Sequence, residues 1–159
     1  MKILIVSDSH GRNGNIERVI NKVVPIDLLI HLGDLEANPD FLEVLIPCPS
    51  EMVAGNNDYF TSLPREKIIT VGKYKLLLTH GHRYGVYNGT ERIKEVGRQQ
   101  GVDMVLYGHT HKPLVDLTGP VWAINPGSIS LPRQEGYKPT FIIMDIDEKG
   151  QAHFTLNYA

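Results

Sequence analysis

Five short blocks of the chain hold side chains that bind cations well. They are Asp8-Ser9-His10, Gly33-Asp34, Gly55-Asn56-Asn57-Asp58, Thr79-His80-Gly81-His82 and Gly108-His109-Thr110-His111. Imidazole and carboxylate together favour divalent transition ions such as Mn, Fe, Ni or Zn over Ca or Mg. A site for two ions needs one group that reaches both, and a carboxylate offers two oxygens for this. Taken singly the blocks are weak. Asp8 could serve a turn or a cap, and a lone Gly-Asp says still less. Gly-His-Thr-His says more, because two histidines two apart after a buried run rarely serve packing. Gly33, Gly55, Gly81 and Gly108 permit the sharp turns that aim side chains across a pocket.

The elements that must position these blocks can be read from hydrophobic periodicity. Lys2 to Ser7 encloses a continuous apolar run and predicts a strand buried on both faces. Ile16, Val19, Ile20 and Val23 recur at helical spacing, so Asn13 to Val23 predicts a helix with Asn13 as its cap. Asp27 to Leu32 is a second buried run. Pro39 to Leu45 predicts a helix stopped by Pro47 and Pro49. Glu51 to Ala54 predicts a third strand. Strands and helices thus alternate, as in a parallel sheet with crossover helices.

The second half reads differently. Lys67 to Val71 and Tyr74 to Thr79 predict a hairpin across Gly72-Lys73. Thr90 to Gln100 predicts a helix and Met104 to Tyr107 a buried strand. Val121 to Ile124, Thr140 to Asp145 and His153 to Asn157 predict further strands, the last two joined around Glu148-Lys149-Gly150. This half is richer in antiparallel strands. The five blocks follow strand ends, and in open α/β sheets ligands bind outside the carboxyl ends of the strands. Residues far apart in sequence can therefore converge.

With 159 residues and no repeat or linker, the chain is expected to form a single domain over 1–159. A formal net charge of −2 gives no general attraction to nucleic acid or to an anionic membrane. The apolar run Ile3 to Val6 is too short for a signal peptide, and no stretch is long enough to span a bilayer. Cys48 stands alone, so no internal disulfide forms, and a cytoplasmic location is expected. Cys48 itself reads as a small buried apolar residue.

Taken in order, the five blocks resemble those of the calcineurin-like metallophosphoesterases, from Met1 to about Ser130. The short length and Asn125-Pro126-Gly127-Ser128 resemble the small single-domain bacterial and archaeal phosphodiesterases of that family. The resemblance implies an α/β fold, a four-layer α/β/β/α sandwich of two mixed β-sheets. A dinuclear metal site would lie at the C-terminal ends of the strands. It implies that Asp8, His10 and His111 bind one ion, that Asn56, His80 and His109 bind the other, and that Asp34 bridges. Asn56 would bind through its amide oxygen. The ions would be two divalent transition metals, Mn first, with Ni, Fe or Zn as alternatives. The implied activity is hydrolysis of a small-molecule phosphate ester, most simply a phosphodiester, by a metal-activated hydroxide. A membrane or nucleic-acid partner is not expected; a homodimer is admitted.

One position departs from the family. Many members carry histidine after the ligand asparagine, as a phosphate contact and general acid; here Asn57 stands there and cannot give up a proton near neutral pH. Asn57 reads equally as a phosphate contact or as a turn residue before Asp58. His82 is the other candidate for phosphate contact or acid. Asp58 reads as a group orienting its neighbours. His31 reads as a core histidine or a support behind the ligands, and His153 as structural or exposed. Arg133 follows the Asn-Pro-Gly-Ser segment and could reach a phosphate, but reads by default as an exposed arginine; Trp122 and Tyr84 read as packing residues rather than as substrate-stacking ones. A competing function is an interaction scaffold on the same fold, as in the retromer complex. That reading predicts gaps in the ligand set, whereas all seven positions are filled. A nuclease would need a basic groove, which the composition does not favour.

Overall fold

The computed structural model describes residues 1–159, with the side chain of Phe41 outside the description. The first sheet begins with β1 (Lys2–Val6), β2 (Leu28–His31) and β3 (Ser50–Met52), paired in parallel in that order. Helices α1 (Gly14–Val23) and α2 (Pro39–Leu45) make the crossovers. The second sheet takes β4 (Glu66–Val71), β5 (Tyr74–Thr79), β6 (Met104–Leu106), β7 (Pro113–Asp116) and β8 (Trp122–Pro126), in the order β4-β5-β6-β8-β7. Helix α3 (Glu91–Gln99) crosses from β5 to β6. The chain then returns to the first sheet. There β9 (Thr140–Ile146) runs antiparallel to β1, and β10 (Ala152–Tyr158) closes the edge as a hairpin partner of β9.

The alternation of side chains along β1 explains the layering. Ile3 and Ile5 point inward to a core shared with Leu76, Leu78, Leu106 and Ile124 of the second sheet. Leu4 and Val6 point the other way, onto Ile16, Val19 and Ile20 of α1 and Leu42 of α2. On the far side of the second sheet, Leu77 and Val105 meet Ile93 of α3. Both faces of both sheets are therefore covered, which gives the four layers. Each fully buried aliphatic side chain contributes about 1.5–3 kcal/mol by leaving water. This is why the strands read as unbroken apolar runs.

The structure differs from the sequence reading in detail. Strand β7 was not foreseen, because Pro113 interrupts the run; it lies at the sheet edge, where proline costs no ladder bond. The second half also holds a parallel trio, β5, β6 and β8, hidden among its antiparallel neighbours. Asn13 does not cap α1: its own backbone is already helical, and its side chain makes no capping bond. Asn38 does cap α2, its Oδ1 accepting from the Asp40 N–H at 3.0 Å, with Pro39 at the first helical position.

Candidate metal centre

The parallel strands of both sheets release their chains toward one another. From β1 come Asp8 and His10, from β2 Asp34, and from the segment after β3 Asn56. From β5 comes His80, and from β6 come His109 and His111. The β1 and β2 loops stay zipped beyond the strands: the N–H groups of Asp8, His10 and Gly11 donate to the carbonyls of Gly33, Asp34 and Leu35 at 3.0, 3.0 and 2.7 Å. This zipper holds an unusual backbone. Asp8, His10, Asp34, His109 and His111 all have left-handed φ, between 46° and 69°. Asp and His tolerate that region better than most residues, yet each such residue stores about 1–3 kcal/mol.

Two glycines are required by close approach. A Cβ on Gly55 would lie 2.1 Å from Asp34 Oδ1, and one on Gly108 would lie 2.0 Å from Ser7 Oγ. Any side chain at either position would push into the carboxylate loops.

The polar atoms of the centre lie close together. His111 Nε2 is 3.1 Å from Asp8 Oδ1, and His10 Nε2 and His80 Nε2 are each 3.9 Å from the same oxygen. Asp34 Oδ2 is 3.4 Å from His80 Nε2 and 3.8 Å from His10 Nε2. Two groups of three have their ligand atoms within 4.8 Å: Asp8 with His10 and His111, and Asp8 with Asp34 and His80. Asp8 is common to both groups, while Asp34 reaches toward a histidine of each sheet. His109 joins edge-on, its ring 5.1 Å from that of His80 and 5.0 Å from that of Tyr87.

The ring orientations are fixed from outside. His80 Nδ1 donates to the Leu32 carbonyl at 2.8 Å, and His111 Nδ1 to the Leu131 carbonyl at 2.6 Å. His10 Nδ1 meets Glu36 Oε1 at 2.7 Å. Each Nε2 is thereby turned inward with a lone pair. His10 Nε2 and His111 Nε2 face one another at 3.3 Å. Asp8 Oδ1, Asn56 Oδ1 and His80 Nε2 are buried without a hydrogen-bond partner. Buried polar atoms left so are costly, and a cation between Asp8 Oδ1 and His80 Nε2, 3.9 Å apart, would satisfy both. The donor set therefore fits divalent transition ions.

Electrostatics follow from these contacts. Burial pushes the Asp8 carboxyl up, but His111, His80 and Ser7 outweigh it and hold Asp8 below its ordinary value. Burial likewise raises Asp34, and His80 with Asn57 overcomes it, again lowering the group. His80 moves up, since Asp34 and Asp8 outweigh its burial. His109 is pushed down to about 4, first by burial and then by its neighbour His80.

Asn57 lies against Asp34, where it bonds both carboxylate oxygens. His82 sits beside His80 and His109 at ring distances of 5.6 and 6.1 Å. Its Nδ1 is buried with no partner, and burial, then His80, Arg83 and Arg65, lower its pKa. Asp58 orients backbone rather than side chains, accepting from the N–H groups of Leu35, Glu36 and Gly55 at 3.2, 2.8 and 2.8 Å. His31 is fully buried between loops: its Nδ1 accepts from the Gly33 N–H at 3.2 Å and its Nε2 meets Ser9 Oγ at 3.1 Å. His153 lies apart on β10, exposed and paired with Asp147. Trp122 packs against Tyr74 and Phe154, and the Tyr84 hydroxyl bonds Glu66.

Several supporting contacts escaped the sequence reading. Glu36 holds His10. Asn125 Nδ2 donates to the Gly108 carbonyl at 2.9 Å, and Ser128 Oγ to the Asp8 carbonyl at 2.8 Å. Arg133 donates to the Tyr87 hydroxyl at 2.7 Å, which in turn donates to the His109 carbonyl at 3.0 Å. Only the Asn-Pro-Gly-Ser run carried a signal; the others are surface-type residues brought in by loop geometry.

The chain as a whole is similar to known proteins of one fold and family. A family model described as the calcineurin-like phosphoesterase superfamily domain matches residues 1–149. The probable metallophosphoesterase YsnB of Bacillus subtilis strain 168 is 35% identical over 136 residues, covering 84% of this chain and 78% of that protein. The crystal structure of a conserved uncharacterized protein, a predicted phosphoesterase, from Streptococcus pneumoniae superposes with a TM-score of 0.80 at 26% identity, covering 99% of this chain and 97% of that one. The zinc complex of wild-type Vps29 from Entamoeba histolytica shares the fold, with a TM-score of 0.78 at 23% identity and 99% coverage of each chain.

Proposed function

The chain belongs to the calcineurin-like phosphoesterase superfamily, and from that premise we propose that it is a phosphodiesterase working with two divalent metal ions. The observation that carries this reading is the trio of buried atoms without partners, Asp8 Oδ1, Asn56 Oδ1 and His80 Nε2. Cations at this place would meet Asp8 Oδ1 and His80 Nε2, and in this reading Asn56 Oδ1 as well.

In this reading Asp8, His10 and His111 hold one ion, Asn56, His80 and His109 the other, and Asp34 is shared. The ions supply Lewis acidity, lowering the pKa of water and offsetting charge on phosphoryl oxygens. The chain's own residues do the rest. Glu36, Leu131 and Leu32 fix the ring orientation of His10, His111 and His80, so that each Nε2 faces inward. Asn57 orients Asp34 through both of its oxygens. His82, with its buried and unbonded Nδ1, is the side chain that supplies or shares the leaving-group proton. The donor set supports Mn, with Ni, Fe and Zn as alternatives, and the zinc of the Vps29 neighbour supports a transition ion. The seven filled positions favour an enzyme over an interaction scaffold. The shared core between the sheets supports a single domain. No described helix is long and apolar enough to cross a membrane. A cytoplasmic location, a small-molecule phosphate ester as substrate and a homodimeric state complete the proposal.

The test is hydrolysis of bis(p-nitrophenyl) phosphate against p-nitrophenyl phosphate by Mn-reconstituted protein. The diester should be the better substrate, and a chelator should abolish turnover. Folded, metal-loaded protein that cleaves neither ester would remove the reading.

A further inference from the structure

Beside the metal centre opens a cavity of about 790 Å³, which none of the proposed ligands lines. Asn57 and Glu36 form its inner wall. Asn57 is the residue whose amide lies 2.7 Å from Asp34 Oδ2, and Glu36 is the one that holds His10. The cavity therefore begins one side chain away from the place where a phosphoryl group would sit. Its size falls in the range of about 300–1,000 Å³ common for small-molecule sites.

Its outer wall carries two consecutive aromatic residues. Tyr59 is 74% exposed and Phe60 104%. Two adjacent rings left in water beside a pocket are unusual, because aromatic side chains gain most when covered. The charges of the cavity are already engaged. Asp58 is saturated by three backbone N–H groups, and Glu36 meets His10. Among the described residues no lysine, arginine or histidine lines the cavity. A further phosphate or carboxylate would find no cation there. A flat neutral group would find two rings to stack on.

We propose that this cavity binds a planar aromatic ester arm of the phosphodiester, an aryl group or a nucleobase, with Tyr59 and Phe60 as its stacking residues. The proposal rests on the phosphodiesterase reading, since only a diester presents a second arm to the protein. It also gives that reading a physical basis, because a diester can fill the cavity with one arm while the other departs, whereas a monoester has a single arm.

Phosphinates, which have no ester bond to cleave, separate the arm from the chemistry. Benzyl(methyl)phosphinate and dimethylphosphinate carry the same charge and differ only in one arm. Titration calorimetry on Mn-loaded protein should show the benzyl compound binding about tenfold more tightly, as expected for a ring stacked on an aromatic side chain. In the double variant Tyr59→Ala/Phe60→Ala the ratio should fall to about one, while His153→Ala should keep it. A methylphosphinate with a thymin-1-ylmethyl arm distinguishes the two sources: affinity at or above that of the benzyl compound assigns a nucleobase arm, and affinity near that of dimethylphosphinate assigns an aryl arm. A ratio near one in the parent, or a ratio that survives in the double variant, overturns the proposal. If neither phosphinate binds, the phosphodiesterase reading fails, and the ring subsite is decided separately. Saturation-transfer NMR with benzyl alcohol on metal-free protein then reads it alone. Transfer lost in the double variant supports the subsite, and transfer absent in the parent or retained in the variant overturns it.

Discussion

Asn57 grips both oxygens of Asp34: its backbone N–H donates to Oδ1 at 2.9 Å and its side-chain amide to Oδ2 at 2.7 Å. Where many relatives by resemblance carry histidine, this residue orients a carboxylate instead of moving a proton. Asn57→Ala keeps the backbone bond and removes the side-chain one. Metal affinity should fall about 10–100-fold, as for other groups that orient ligands. Calorimetric titration with Mn checks this, and an unchanged isotherm would show that the side-chain bond is idle.

Asp34 reaches a histidine of each sheet, as Asp8 also does; with Asp34 as the shared carboxylate of the proposed two-ion site, Asp34→Ala should abolish diester hydrolysis and lower metal content from about two ions per chain to one or none. His153→Ala, on the far strand, should retain nearly the full rate. Elemental analysis and turnover, measured on the same preparations, decide it. Two ions per chain in the Asp34→Ala protein would refute the shared role.

The proton source is open to a graded series of leaving groups. General acid catalysis contributes about a hundred- to ten-thousandfold, and most for poor leaving groups. If His82 gives the proton, the rate of the parent should fall only gently as leaving-group pKa rises, and steeply in His82→Ala. Asn57→His should then add little, because its place is taken up with Asp34. A gentle slope in all three proteins would point to solvent as the donor.

Asp116 offers a pH test away from the metal centre. It accepts from Lys94 Nζ, from the hydroxyl and N–H of Thr118, and from Thr90 Oγ1, joining β7 to the start of α3. These bonds, led by Lys94, hold its carboxyl below the ordinary value. A carboxyl lowered by folding stabilises the protein above the unfolded pKa, about 3.9, and loses that effect as pH falls through the folded value. The site is partly open to solvent, so Asp116→Asn should cost no more than about 1 kcal/mol at pH 7. The gap in urea midpoint between parent and variant should narrow below pH 4. A gap that widens on acidification would contradict the assignment.

Much of the fold was legible because burial on both faces leaves an apolar run, and β1, β2, β5 and β6 each carry one. Strand β7 was not, since Pro113 at its start and exposed Leu114 and Val115 give no such run. For the centre, residue type and order were enough to gather the five blocks. Invisible in sequence was the left-handed backbone at Asp8, His10, Asp34, His109 and His111, the first three of which lie where the β1 and β2 loops pair backbone to backbone. Asn57 shows the same limit: its chemistry was readable, but its partner was set by a loop 23 positions away.

The second sheet is built from one unbroken stretch, residues 66–126, whereas the first is completed only by β9 and β10. On a ribosome, β1 can therefore pair with β2 early but must wait with its other edge open until Ile142, Ile143 and Met144 have emerged. An exposed apolar edge is a template for association with other chains. The second sheet is free to form meanwhile as a local unit. Emergence of β9 and β10, rather than any earlier event, then becomes the moment at which the first sheet closes. Aggregation during synthesis should be governed by how long β1 is left waiting, because pairing distant strands is intrinsically slow.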